Sequence, residues 1–163
     1  MVNDDALLGR AREIAAGVTD PELPVLTIAD LGVLREVSLR DGMVEVTITP
    51  TYCGCPAIPL IAAEIQAALA RAGFAGTRVR TILSPAWTTD WISEAGRQKL
   101  AAWGIAPPPR TGSGRALFAE DKPVCPRCGS PQTERISAFG SAACRALHRC
   151  LACREPFDAF KCH

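Results

Sequence analysis

Histidine is nearly missing from this chain: of 163 residues only His148 and His163 are histidines. Both lie near the C-terminus, so residues 1–121 hold no imidazole base for a Ser–His–Asp or Cys–His mechanism. No phosphate-binding glycine loop or dinucleotide fingerprint appears either. These absences argue against a hydrolase or an acyl transferase. Aromatic residues make up only 6% of the chain, few for a base-stacking surface. A formal net charge of +1 gives no overall pull toward nucleic acid or an anionic membrane. Long apolar runs are absent as well. The most apolar stretch, near residues 58–69, is interrupted by Pro59, Glu64 and Gln66, whereas a membrane-spanning helix needs about 20 apolar residues. The first ten residues are acidic and lack the basic, then apolar, pattern of a secretory signal. The expected location is the cytoplasm.

Cysteine is what the chain does have. Eight are present, and in a reducing cytosol they read as metal ligands or reactive thiols rather than as disulfides. Cys125-Pro-Arg-Cys128 and Cys150-Leu-Ala-Cys153 form two CxxC pairs. Two residues between cysteines let a tight turn aim both sulfurs at one ion, and the second pair completes a tetrahedron of thiolates. Four closed ligands make a structural site, because catalysis needs an open position. Zinc is the expected ion, with iron the alternative that ligand spacing does not separate from it. Cys144, Cys162 and His163 lie close in sequence and are candidates for additional ligation; the plainer reading is small, half-buried residues and a frayed tail. His148, in a strand pattern, reads as packing or surface.

Periodicity supplies the rest of the architecture. Residues 4–17 have helical apolar spacing, and Asp20-Pro21-Glu22-Leu23-Pro24 breaks that helix. Val33, Val37 and Leu39, the turn signal Asp41-Gly42, then Val44, Val46 and Ile48 predict a hairpin. A second helix is predicted from Pro56 to just before Gly73, with Ile58, Ile61, Ile65 and Leu69 as its buried stripe. A strand at 77–83 and a third helix from about Thr89 to Trp103, capped by Thr88 or Thr89, follow. The fold class is a small α+β (α/β) domain of order α-β-β-α-β-α over residues 1–105, then a linker at 106–121 and a C-terminal β zinc ribbon at 122–163. Residues 1–121 hold 11 Lys and Arg against 14 Asp and Glu, net −3; residues 122–163 hold 7 against 3, net +4. Arg127, Arg149 and Arg154 would offset a metal–thiolate site that is formally negative.

Cys55 falls at the start of the second helix, where unpaired N–H groups and the helix dipole favour a thiolate. Asp20 and Glu22, in the turn after the first helix, are expected to approach it. Cys53 makes a CxC pair with it. Physical chemistry alone divides about evenly here between a functional thiol and a small buried hydrophobe.

The segments DPELP, DLGVLREV, TPTYCGCPA and LSPAWTTDWISEAGRQKL together resemble the SufT-like family of iron–sulfur assembly domains. The ribbon segments CPRCGS and SAFGSAACRALHRCLACREPFDAFKCH extend the resemblance over nearly the whole chain, to PaaD-type accessory proteins of bacterial phenylacetyl-CoA epoxidase systems. The resemblance implies a non-catalytic factor that matures metal centres, with the epoxidase reductase and oxygenase subunits as partners, no membrane, and a homodimer left open. It maps the family's cysteine before Pro onto Cys55 and the family's DPE onto Asp20, Pro21 and Glu22; Thr51, in the same segment, joins the candidate site. A transient iron–sulfur cluster or iron would be its cargo. Cys53 departs from the family pattern, where a small residue such as Ser is expected, and leaves open whether CxC takes part. A rubredoxin-like electron-transfer subunit and a nucleic-acid-binding or adaptor ribbon are the alternatives, in that order.

Overall fold

The computed structural model describes residues 4–110 and 122–161. The order α-β-β-α-β-α and the β ribbon are both found, but the chain divides into two units between Trp87 and Thr88, not within the proline-rich stretch.

In the first unit, α1 (Asp4–Ala16) opens with Asp4 and Asp5, whose charges suit a helix N-terminus, and buries Ala11 and Ala15. The DPELP break is more ordered than its composition suggests. Asp20 Oδ1 accepts from the N–H groups of Glu22 (2.8 Å) and Leu23 (2.9 Å), an Asx-type turn that replaces lost helical bonds. Leu23, Leu26, Ile28, Leu31 and Val33 are all buried along this connection. The hairpin joins β1 (Leu34–Arg40) to β2 (Met43–Ile48), with a bulge near Leu34. Its turn residues Asp41 and Gly42 have φ of 53° and 75°, the left-handed pair that matches strand twist.

From β2 the chain crosses through α2 (Ala57–Arg71) to β3 (Arg78–Thr81), which lies parallel to β2 and completes a sheet of order β1-β2-β3. A parallel neighbour requires such a crossover. Ala57, Ile61, Ile65 and Leu69 are the buried stripe; Ile58 is only half-buried, so the core face is rotated slightly from the expected one. Trp87, buried, donates its indole N–H to the Leu31 carbonyl at 2.8 Å.

The second unit begins with a correction to the third helix. A 3-10 turn at Thr89–Trp91, capped by Thr88, is separated from α3 (Glu94–Ala102) by extended backbone at Ile92 and Ser93. Ser93 Oγ accepts from Gly96 N–H at 2.9 Å and is the true N-cap. Arg97, buried on α3, donates to the carbonyls of Thr89 (2.7 Å) and Pro108. Then β4 (Ile105–Ala106) pairs in parallel with β7 (Pro156–Phe160), and β6 (Arg145–Cys150) and β5 (Thr133–Ser137) complete the order β4-β7-β6-β5. Residues 88–106, expected in the N-terminal domain or at the start of the linker, therefore belong to the ribbon's unit. Residues 111–121 of the expected linker lie outside the described residues.

Candidate metal centre and a thiol beside two carboxylates

Two turns bring the four cysteines together. The Cys125 N–H donates to Ser130 O (3.0 Å) and Gly129 N–H to Cys125 O (2.9 Å), folding the first CxxC into a knuckle. The second knuckle is closed by Cys150 N–H to Glu155 O (3.0 Å) and by Cys153 N–H to Cys150 Sγ (3.4 Å). Gly129 has φ of 73°, and Arg154, its counterpart after Cys153, adopts φ of 67°. The glycine that the second pair lacks is thus replaced by an arginine held in the same left-handed conformation, at a steric cost that glycine avoids.

The sulfurs of Cys125, Cys128, Cys150 and Cys153 all lie within 4.8 Å of one another, the only such group of three or more candidate ligands among the described residues. Cys125–Cys153 is 3.8 Å and Cys128–Cys150 is 3.5 Å. A tetrahedral ion with Sγ at about 2.3 Å requires Sγ–Sγ edges of about 3.8 Å, so the four residues fit one ion. Their protons also fit poorly without one. N–H groups of Cys153 and Ala152, together with the neighbouring thiols, bring Cys150 down to about 6. Cys153 is pushed up to about 12: the Glu155 N–H favours its thiolate, but burial and the crowded thiols around it outweigh that donor. Four thiolates this close need a cation among them. Beneath the knuckles Cys125 and Cys150 join Ala106, Phe157 and Ala159 in a small apolar cluster, and His148 stacks on Phe157 with ring centroids 5.8 Å apart. His148 is a packing residue, as expected.

Arg127 and Arg149 are engaged otherwise than as simple counter-charges, pairing with Glu155 (3.6 Å) and Glu134. Cys144 is buried and lies outside the four-sulfur group; its carbonyl accepts from Lys161 N–H at 2.9 Å. Cys162 and His163 lie outside the described residues.

The first unit holds the other candidate. Cys55 is half-buried and precedes Pro56, the residue that caps α2. Three sequence-predicted residues act on Cys55: the Thr51 side chain, with the Ala57 N–H, bonds its sulfur, and the charges of Glu22 and Asp20 act on it. The net effect corrects one expectation. Burial pushes the Cys55 thiol above its ordinary value, Glu22 and Asp20 push the same way, and the Ala57 and Thr51 bonds offset only part of this. The helix start favours a thiolate, but the acids and the partial burial win. Cys53 is exposed, and no disulfide joins it to Cys55.

The thiolate is the nucleophile, so at pH 8 Cys55 should alkylate severalfold more slowly than free cysteine, with its rate still rising above pH 9. Glu22→Gln removes a carboxylate that opposes ionisation and should speed the reaction. Mass-spectrometric labelling rates would read both; a Cys55 faster than free cysteine would contradict the geometry.

Sequence reasoning missed the ion pair between Arg145 and Asp158 (3.4 Å), both largely buried within the ribbon. The signal available was Asp158, the one charge in the otherwise apolar strand Pro156–Phe160.

Comparison with known proteins follows the same division. Residues 12–83 match a family described as iron-sulfur cluster assembly protein, and residues 109–161 match the PaaD zinc beta ribbon domain. A putative 1,2-phenylacetyl-CoA epoxidase subunit of Escherichia coli (strain K12) is 48% identical over 148 residues, 89% of this chain and 87% of that protein. The chain belongs to the PaaD family. Its PaaD-type N-terminal part has relatives of its own: the Fe-S protein maturation auxiliary factor YitW of Bacillus subtilis (strain 168) is 40% identical over 78 residues, 47% of this chain and 76% of that one. The crystal structure of a domain of unknown function (DUF59) from Bacillus anthracis matches with a TM-score of 0.55 at 23% identity, over 60% of this chain and 93% of that chain. That likeness establishes the fold that this PaaD-family chain shares. No helix among the described residues is long and apolar enough to cross a membrane.

Proposed function

We propose that this PaaD-family chain is a non-catalytic cytoplasmic maturation factor for the metal centres of a phenylacetyl-CoA epoxidase, acting with its reductase and oxygenase subunits. Cys55 holds iron or an iron–sulfur cluster in transit, and the ribbon, closed around one zinc, shapes a surface for docking. The observation that carries this reading is the convergence of Cys55, Thr51, Asp20 and Glu22. The names of two relatives support it: an epoxidase subunit over most of the chain, and a maturation factor over the N-terminal part.

The site chemistry suits a carrier rather than a permanent holder. Without cargo, Cys55 is a neutral thiol whose ionisation the two acids oppose. When a cation arrives, the S–H bond breaks, the proton leaves to solvent, and a metal–sulfur bond forms. The carboxylates, unfavourable to a bare thiolate, now face a cation and become favourable. The Ala57 N–H and Thr51 bonds hold the sulfur meanwhile. Release reverses the sequence, because reprotonation of a thiol with a raised pKa draws the sulfur back.

In cells whose own copy is deleted, the deletion and the Cys55→Ala variant should both leave the reductase short of its cluster, with protein levels of the variant normal. Full cluster content and epoxidase activity in that variant would end this reading.

The electron-transfer alternative retains one favourable observation, the matched left-handed residues Gly129 and Arg154 behind the two knuckles. Purification without oxygen distinguishes it: a colourless protein carrying one zinc removes it, whereas iron with an intense visible absorption at the ribbon supports it.

A further inference from the structure

The turn that leads into α2 carries two thiols on one tight bend. Cys55 N–H donates to the Tyr52 carbonyl at 3.2 Å, closing a four-residue turn with Cys53 and Gly54 at its centre. Gly54 has φ of 82°, whereas Cys53 keeps φ negative. That combination is a type II turn, which needs glycine at its third position. Nothing lies within 4 Å of where a Gly54 Cβ would stand, so the bend, not crowding, is what requires glycine there. The bend matters for the sulfurs. In an extended chain, residues two apart separate their Cα atoms by about 7 Å, past the usual disulfide span of about 4.4–6.8 Å. A closed turn shortens that separation.

The two thiols differ in freedom. Cys55 is half-buried, and its backbone is held on both sides: its N–H is bonded to Tyr52, its carbonyl accepts from Ile58 N–H at 3.3 Å, and Pro56 follows it. Cys53 is exposed, so a small oxidant reaches it first. Cys53 and Cys55 are the only cysteines of residues 1–121, and the four grouped sulfurs of the ribbon are committed to their ion. The thiol beside an oxidised Cys53 is therefore Cys55. Both are reduced in the structure described here.

We propose that Cys53 and Cys55 form a reversible disulfide under hydrogen peroxide, with Cys53 the thiol oxidised first and Cys55 the thiol that resolves it, and that this bond shuts the cargo site. The Cys53 sulfur attacks one peroxide oxygen, the O–O bond breaks, and a sulfenic acid and water result. The Cys55 sulfur then displaces the hydroxyl from Cys53, which leaves as water with the thiol proton of Cys55. The two thiols give up two electrons in all, and one peroxide is reduced to two waters. A dithiol reductant returns two electrons and reopens the bond by exchange. An accessible thiol next to a resolving one is the usual arrangement of a redox sensor, and disulfides of reducing compartments are mostly of this transient kind. Once its sulfur is tied to Cys53, Cys55 offers no thiolate to a cation, so the oxidised chain takes up no iron. That consequence rests on the maturation reading above; the disulfide itself does not.

The test exposes the metal-loaded full chain and its Cys53→Ser variant to hydrogen peroxide, at a dose that leaves the ribbon's metal in place. Free thiols are then alkylated, and mass spectrometry reads the tryptic fragment 41–71, which holds Cys53 and Cys55 and no other cysteine. In the parent this fragment should lose both alkylation sites and the mass of two hydrogens, and dithiothreitol should restore both sites. In Cys53→Ser, Cys55 should stay open to alkylation at the same dose. Iron(II) offered afterwards without oxygen should bind the reduced parent and not the oxidised one. Cys53 carried on to sulfinic acid with Cys55 still open, a pair of chains linked through Cys53, or Cys55 lost as fast in Cys53→Ser as in the parent would each overturn the switch. Iron uptake by both forms would overturn it as well. Uptake by neither form, with the disulfide made, would remove the cargo reading and leave the disulfide standing.

Discussion

Cys125→Ser should empty the metal site and unfold the ribbon while the N-terminal unit keeps its own thermal transition. Cys125 is 1% exposed and Cys150 fully buried, and with Ala106, Phe157 and Ala159 they make the apolar cluster beneath the knuckles. A ribbon of about forty residues buries too little apolar surface to be stable by that packing alone. A structural zinc contributes an apparent binding free energy of about 10–16 kcal/mol in zinc-finger peptides, more than the whole stability of most domains. Serine keeps the size of the side chain but is a poor ligand, and three thiolates cannot close the tetrahedron. Metal analysis should read none bound, and limited proteolysis should cut freely between residues 122 and 161 while sparing residues 4–87. A strong chelator at neutral pH should do the same to the unaltered chain. Protease resistance that survives metal removal would mean that the sheet order β4-β7-β6-β5 stands on its own packing.

Asp158→Ala should cost the ribbon about 3 kcal/mol. The substitution leaves the Arg145 guanidinium, whose side chain is only 9% exposed, without its carboxylate. An uncompensated buried charge is far more costly than the pair was favourable. The Ser141 hydroxyl and N–H lose their acceptor at the same time. Replacing both partners, Arg145→Met with Asp158→Leu, should recover most of the loss, because the desolvated charge is gone. Thermal unfolding of the metal-loaded proteins would measure it; an unchanged transition in Asp158→Ala would show that water reaches Arg145 freely.

What the sequence made legible were features carried by local spacing. Two CxxC pairs converge on one ion because two intervening residues suffice for a knuckle, and nothing distant needs to be known. The stripe Ile61, Ile65 and Leu69 and the alternation Val44, Val46 and Ile48 are likewise local. Features fixed by tertiary approach were hidden. The sign of the Cys55 shift depends on how closely Glu22 and Asp20 come and on half-burial, and a helix start alone predicts the opposite. The buried run from Leu23 to Val33 follows no strand or helix period, because an Asx-type turn and a single bridge between Thr19 and Thr27 shape it. Arg145 and Asp158 meet only through the pairing of β6 with β7. The helix expected at 89–103 failed at its start because Thr88 and Ser93 are both good caps, and only the extended backbone at Ile92 tells which one begins α3.

The two-residue strand β4 bears on how such a protein can be recombined. Ile105 and Ala106 hydrogen-bond along β7 although nearly thirty positions separate them from β5. A graft of the ribbon onto another carrier, spliced in the proline-rich stretch where composition invites the cut, would leave one flank of β7 bare. Bare strands recruit strands from other molecules, so such a chimaera should clump. A splice at the Trp87–Thr88 seam carries the guarding strand along with the sheet it covers.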